Sequence, residues 1–330
     1  MNKLLQFRNK KVLVTGGAGF IGSNLTILLV KYGARVTVMD NLSPHQGGNL
    51  YNLDPVKNDV EIDFSDIRDE AAVKRLVRGK DYVFHLARQT DHILSMTNPY
   101  PDIDVNVRGT AILLEACRYI APGIRFIYTG TRGQYGHAVK LPVSEDAPTN
   151  PRGIYEITNL TAEKIIQVYN DVHGIRSVML RLTNIYGPGS QMKHDRYGVV
   201  NWFIRLAIDN QPIRVFGDGQ LKRDFLYIDD TVDAITRCAL TESCYGEIIN
   251  VGVPHAETFL DLVKTIIRVA KNGSWEFAPF TPERKAMDPG NFYSDVSKIR
   301  KLTGWKPTTS LAEGLEKTIS YYRKNRKYYW

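Results

Sequence analysis

The sequence predicts an α/β protein: a doubly wound parallel sheet with a smaller α/β region in its C-terminal half. Three observations predict it. Short apolar runs alternate with helix-patterned stretches from Val12 to Leu182, the rhythm of strands buried on both faces and covered by helices. The first run, Val12-Leu13-Val14, passes through Gly16, Gly19 and Gly22 into a helical pattern. The second, Ala34 to Met39, ends in Asp40, at about the twenty-residue spacing that a dinucleotide fingerprint asks for.

Each element follows from its residues. A strand turning sharply into a helix leaves backbone N–H groups and a positive dipole end open to a pyrophosphate, and glycine lets the main chain come close. Asp40 offers a carboxylate to both hydroxyls of an adenosine ribose and repels a 2′-phosphate, which favours NAD over NADP. This makes the sheet Rossmann-type. Val60 to Phe64 reads as the third strand, and Asp66 and Ile67 stand where an adenine edge and face are met. Ala72, Val73, Leu76 and Val77 repeat at helical spacing. Tyr82 to Ala87 is the fourth strand, residues 102 to 119 one long helix, and Gly123 to Tyr128 the fifth strand. A helix opens near Tyr155 and runs to Val172, with Tyr155 and Asn159 as i,i+4 neighbours on one face. Residues 1–180 are expected to form the dinucleotide-binding domain and 181–330 mainly the substrate region, with segments returning to the first.

Composition bounds the function. The chain has 330 residues and a net charge of +8. Its basic residues are scattered apart from Lys324 to Lys327 and form no compact recognition helix, so an anionic small molecule suits them just as well as nucleic acid, and no nucleic-acid partner is expected. Cys117, Cys238 and Cys244 form no disulfide framework, which fits a reducing cytoplasm. The apolar run in Met1 to Phe7 is too short for a signal peptide, and no stretch is long enough to span a bilayer. The histidines lack ligand spacing, and no metal is expected. Asp229-Asp230 is read as capping the helix of Val232, Ile235 and Cys238. Ser310 and Glu313 form a capping box before a terminal amphipathic helix.

These motifs in this order resemble the extended short-chain dehydrogenase/reductases, the NAD-dependent nucleotide-sugar epimerases and dehydratases. The resemblance covers nearly the whole chain. It is carried by Thr15 to Gly22, Asp40, Asp66-Ile67, His85-Leu86-Ala87 and Asn106-Val107-Arg108-Gly109-Thr110, then by Tyr135-Gly136, Tyr155 and Arg181 to Pro188. Gly217-Asp218-Gly219, Arg223 to Asp230 and Asn250-Val251-Gly252 complete it. It implies NAD as cofactor, held by Gly16, Gly19, Phe20, Ile21, Gly22, Asp40, Asn41, Asp66, Ile67, Leu86, Ala87, Asn106, Tyr155 and Asn159. It implies Tyr155 as the acid–base group and Thr131 as the hydroxyl that orients the sugar. On the nucleotide-sugar side it points to Arg88, Asn184 and Arg223, with Val200, Trp202, Val215, Phe216 and Arg284 around the nucleotide. Ordinary readings stand beside some of these: a surface arginine at 88, a solvated loop arginine at 284 and a core aromatic at 202. A homodimer through the Tyr155 helix and the helix of residues 102 to 119 is implied as well.

Two departures matter. The family's lysine, four residues after the tyrosine, is Asn159 here. Asn can bond a ribose hydroxyl but carries no charge to lower the phenol. Three readings stay open: an active variant in which Arg88 or Arg132 supplies the field, a substituted lysine that traps a complex, and a protein that binds cofactor and sugar with little turnover. Second, family dehydratases carry Asp-Glu after the threonine, where this chain has Arg132-Gly133, which favours epimerisation over elimination. The expected function is therefore an NAD-dependent UDP-sugar 4-epimerase, acting through a 4-keto sugar. The alternatives are a silent binding protein, a C2 epimerase or a ketosugar reductase.

Overall fold

The computed structural model describes residues 3–44, 46–280 and 290–330. Seven parallel strands form the central sheet. In chain order the first six are β1 (Lys11–Thr15), β2 (Arg35–Met39), β3 (Val60–Asp63), β4 (Tyr82–His85), β5 (Arg125–Thr131) and β6 (Arg176–Leu182). The spatial order is Ile248–Val251, β6, β5, β4, β1, β2, β3. Val12, Leu13 and Val14 are wholly buried, as the unbroken apolar run requires of a strand covered on both faces.

That order fixes where a ligand sits. From β1 the chain winds outward through β2 to β3, then crosses back to β4 on the other side of β1. The segments leaving β1 and β4 therefore diverge, and a crevice opens beyond their C-terminal ends. His85 ties them together from within. Its Nδ1 meets Thr15 Oγ1 at 2.8 Å and its Nε2 meets Thr110 Oγ1 at 2.9 Å. Burial, and then the charge of Arg88, hold its pKa well below the ordinary range, so it is a neutral strut.

Among the described residues the C-terminal half adds three small two-stranded sheets. Pro212–Phe216 pairs with Ser274–Ala278, Asn184–Tyr186 with Phe225–Tyr227, and Lys222–Arg223 with Glu257–Thr258. Its strand Ile248–Val251 returns to the main sheet beside β6.

Two expectations are corrected. The single helix over 102 to 119 is instead a turn at Tyr100–Asp102, a π segment at Ile103–Arg108 and an α-helix at Gly109–Ile120. The wider π turn carries Asn106 under the chain at Gln89, and Gly109 is pressed against Ile67, where a Cβ would come within 2.8 Å. The Asp229-Asp230 pair is no cap. Tyr227 holds the N-cap position of Ile228–Ala239 without a side-chain bond, and Asp230 accepts from Thr308 N, Thr308 Oγ1 and Thr309 N at 3.0, 2.7 and 2.9 Å. Its task is to hold the loop before the last helix, Leu311–Asn325, whose Ser310–Glu313 capping box is present.

The basic, aromatic tail is docked. Tyr328 stacks on Tyr51 at 3.6 Å, Tyr329 donates to Asn52 Oδ1 at 2.6 Å, and Trp330 Nε1 donates to Asp209. No helix among the described residues is long and apolar enough to cross a membrane. All three cysteines are buried and unpaired.

Candidate active site

One cavity of about 1290 Å³ runs from the glycine turn after β1 to the small sheets of the C-terminal half. Its first part is built of main chain. Gly16, Gly19, Phe20, Ile21 and Gly22 line it where the helix Phe20–Lys31 begins. Gly16 has φ +69°, and a Cβ there would come within 2.9 Å of Leu86 and Ala87 backbone. A Cβ on Gly22 would overlap the Gly16 carbonyl. The glycines thus pack the turn tightly while leaving the helix N-terminus open to a phosphate. Asp40, Asn41, Asp66, Ile67, Leu86 and Ala87 line the same part.

Asp40 already accepts a backbone bond on each oxygen. Its Oδ2 accepts from Ala18 N and its Oδ1 from Leu42 N, both at 3.0 Å, and burial pushes its pKa up against those bonds. Asp66 is clasped by Arg68 through two 2.7 Å bonds and by Asn41 Nδ2, which hold its pKa at about 2 despite partial burial. It stays a carboxylate at the cavity wall. A glycine cradle and an acid at the end of β2 fit a dinucleotide without a 2′-phosphate.

At the middle of the cavity stand Thr131, Tyr155 and Arg88. Thr131 ends β5, and its Oγ1 accepts from Gly133 N at 3.1 Å. Tyr155 lies in the first turn of the helix Ile154–His173. That helix is fastened to the sheet by a buried bidentate ion pair. Arg181 Nε and Nη2 reach the two Glu163 oxygens at 2.9 and 2.7 Å, with both side chains no more than 2% exposed. Arg181 also lies over the Tyr135 ring at 4.6 Å, and Tyr135 donates to Asn250 Oδ1.

Burial pushes the Tyr155 phenol well above its ordinary range, and Arg88 is the main charge working the other way. The Arg88 guanidinium lies 4.1 Å from the centre of the Tyr128 ring. Tyr128 in turn donates to the Asn159 carbonyl at 2.8 Å.

Three expected site residues do not reach the cavity. Asn159 is wholly buried, its Nδ2 bonded back to the Tyr155 carbonyl at 2.8 Å and its Oδ1 accepting nothing among the described residues. An amide is shorter than a lysine, so from this position it braces its own helix and does not extend to a ribose. Asn106 is a buried strut, bonded to Gln89 through N and O, and to Asp102 and Thr158. Arg223, expected at a phosphate, is 4% exposed and donates to the carbonyls of Lys222 and Gly290. Arg284 lies outside the described residues.

The far part is lined by Asn184, Val200, Trp202, Val215 and Phe216, as the sequence suggested. Asn184 Nδ2 donates to Asp224 O, and Arg132 Nη2 reaches Asn184 Oδ1 at 3.5 Å. Arg205 packs over Trp202 at 5.0 Å. Further cations line the cavity that sequence reading had not singled out: Arg152, Arg196 and Arg214. Arg196 pairs with Asp91 at 2.9 Å.

A histidine and a carboxylate were also missed. His92 and Glu156 line the cavity beside Tyr155 and are bonded, Nδ1 to Oε1, at 2.8 Å. The 132–133 loop itself carries no acid, but the fold brings Glu156 against it. A Cβ at Gly133 would lie 2.6 Å from Glu156 Cγ, so the helix delivers a carboxylate to the place that the 132–133 loop leaves bare. The signal was present in the sequence as a Glu adjoining Tyr155, but only the fold brings it across to β5.

Comparison with known proteins agrees with this fold. Residues 12–252 match the family model described as the NAD dependent epimerase/dehydratase family. A putative UDP-glucose 4-epimerase of Methanocaldococcus jannaschii is 33% identical over 318 residues, covering 96% of this chain and 99% of the relative. The dTDP-D-glucose 4,6-dehydratase of Mus musculus is 33% identical, covering 96% and 89%. Among solved structures, the UDP-glucose 4-epimerase of Thermotoga maritima, determined with UDP-glucose, superposes with a TM-score of 0.87 at 31% identity over 96% of this chain and 99% of that one. These matches span the whole doubly wound fold, and the chain belongs to the NAD dependent epimerase/dehydratase family, with NAD as its cofactor.

Proposed function

We propose that this protein is a nucleotide-sugar epimerase that inverts C4 of a UDP-sugar through a 4-keto intermediate. The observation that carries this reading is that Thr131 and Tyr155 line the same cavity as the glycine cradle. The glycine cradle and Asp40 would hold NAD, which would supply a hydride acceptor and donor for the sugar carbon. The protein's own residues handle the proton and the substrate's position. Tyr155 accepts the 4-hydroxyl proton and later returns it, and Thr131 orients that oxygen. Arg88 supplies the positive field that Asn159 does not, since it is the main charge drawing the Tyr155 phenol down. Asn184, Arg132 and Arg196 meet the diphosphate, and Val200, Trp202, Val215 and Phe216 flank the base.

A homodimer is part of the same reading. Ile157, Val168 and Val172 on the Tyr155 helix are 43%, 53% and 69% exposed, and Tyr100, Ile103 and Tyr119 on the neighbouring helical run are 73%, 46% and 66% exposed. Such apolar surface on two adjoining helices suits a second copy. The reading also includes a cytoplasmic enzyme.

A second reading is a binding protein with little turnover. It is favoured by the uncharged Asn159 and by a Tyr155 phenol held above its ordinary range. Proton NMR of products from a nucleotide-sugar panel, run with the protein and with Asn159→Lys, separates the two. Inversion at C4 by the unaltered protein is expected. Turnover by Asn159→Lys alone favours the binding reading, and no affinity for NAD or any nucleotide sugar sinks both.

A further inference from the structure

The glycine cradle and the far end of the cavity come from opposite halves of the chain, yet two side-chain amides join them directly. Asn24 Nδ2 donates to the Phe20 carbonyl at 2.9 Å and to the Pro188 carbonyl at 3.0 Å. Asn52 Nδ2 donates to the Ala18 carbonyl at 3.0 Å and to the Gly189 carbonyl at 2.9 Å. An amide nitrogen carries two hydrogens. Each of these residues gives one to the cradle and the other to the segment that follows Asn184–Tyr186, on consecutive carbonyls. The fit is close. Gly189 has φ +94°, and a Cβ there would lie 3.2 Å from Asn24 Nδ2, 3.5 Å from Ser23 Oγ and 3.7 Å from Asn52 Cγ. The Tyr322 hydroxyl lies 3.2 Å from Gly187 O and 2.9 Å from Ser190 O, which fixes both ends of this short stretch. From Ser190 onward the chain lines the cavity and carries Arg196 and Tyr197. Arg196 pairs with Asp91, in the loop after β4. Ala18 and Phe20 belong to the turn of residues 16 to 22, the part of the cradle suited to a pyrophosphate. A ligand anchored on that turn restrains the two carbonyls, and through the amides it restrains Pro188 and Gly189.

We propose that Asn24 and Asn52 are positioning residues that set the place of Arg196 and Tyr197 according to the state of the cofactor turn. The NAD-loaded chain then binds a nucleotide diphosphate more tightly than the unloaded chain. The proposal rests on the reading above for a diphosphate at Arg196, and it adds a link between two sites that share no ligand contact. By thermodynamic linkage the nucleotide tightens NAD by the same factor. Neither amide touches the reacting atoms. Both act through the main chain of residues 187 to 198, and no bond is made or broken apart from hydrogen bonds.

The test is calorimetry of UDP with the full chain, with and without saturating NAD, and the link is read as the ratio of the two affinities. The ratio is expected to be roughly 5- to 150-fold, the usual span of coupling between sites. Asn24→Ala and Asn52→Ala are each expected to lower it by about threefold or more, and the two together to abolish it. Tyr329→Phe is the structural control. It removes the donor to Asn52 Oδ1 and leaves both Nδ2 hydrogens in place, so Tm should fall while the ratio stays. Should Asn52→Ala fail to fold, Asn24→Ala decides alone, since that side chain is only half-buried. A ratio that follows Tm across the variants overturns the proposal, because a merely structural role gives that pattern. UDP binding with a ratio of one in the unaltered protein overturns the link and leaves the nucleotide-sugar reading standing. No UDP binding in either state overturns that reading and the link with it.

Discussion

The two ends of the cavity are made of different material. The cofactor end is main chain: glycines, a helix N-terminus and strand ends, with Asp40 as its principal side chain. The sugar end is side chain, drawn from β4, β5, the Tyr155 helix and the C-terminal sheets. A main-chain site fails by steric intrusion, because there is no group to delete. A side-chain site fails by deletion, because each group carries a separate part of the chemistry. The contrast predicts which substitutions hurt which function.

The largest effect is expected at the sugar end. Tyr155→Phe removes the proton acceptor and should lower kcat by roughly 100- to 10,000-fold while NAD affinity, measured by calorimetry, stays within about threefold. A comparable loss of NAD binding would break the division between the two ends. Next comes the pair that fastens the Tyr155 helix. Glu163→Gln leaves Arg181 buried without its counter-charge and should cost about 3–5 kcal/mol in denaturant unfolding.

Gly22→Ala tests the cofactor end. The added methyl overlaps the Gly16 carbonyl, so an overpacking cost of about 1–3 kcal/mol is expected, seen as weakened NAD binding and a lower Tm. Arg88→Ala sharpens the sugar end through pH. Arg88 lowers the Tyr155 pKa, so its removal raises it further, and the rising limb of the kcat profile should move to higher pH. At a fixed pH below that limb the rate should fall tenfold for each unit of displacement. An unmoved limb would mean that Arg88 serves substrate binding only. The smallest effect is expected at Tyr329→Phe, which leaves Asn52 Oδ1 without its donor and should cost about 1 kcal/mol, a fall of a few degrees in Tm.

The same contrast explains what the sequence could tell. Strand, glycine and acid spacing are local, so β1, the Gly16–Gly22 turn and Asp40 were readable from a single stretch. Thr131 and Tyr155 were found because the family resemblance brought two distant motifs together. Asn159, Asn106 and Arg223 were misplaced because each stands at a motif position whose side chain turned to a neighbouring backbone or amide. Only three-dimensional packing decides that competition. Glu156 and His92 escaped notice for the opposite reason. Neither stands in a motif, and the slot that receives Glu156 is shaped by side chains that Gly133 and Gly153 do not have. The π segment was invisible because the composition of residues 102 to 119 suits an ordinary helix equally well.

The docked tail carries a further consequence. Asn52 Nδ2 donates to the Ala18 carbonyl inside the glycine turn and to the Gly189 carbonyl, and Tyr329 holds the other end of that amide. The turn made by residues 16 to 22 is thus buttressed by residues 137 and 277 positions further along than Asn52. On a ribosome residues 16 to 22 would emerge long before Tyr329. The dinucleotide turn therefore acquires this brace only after synthesis has passed Tyr329.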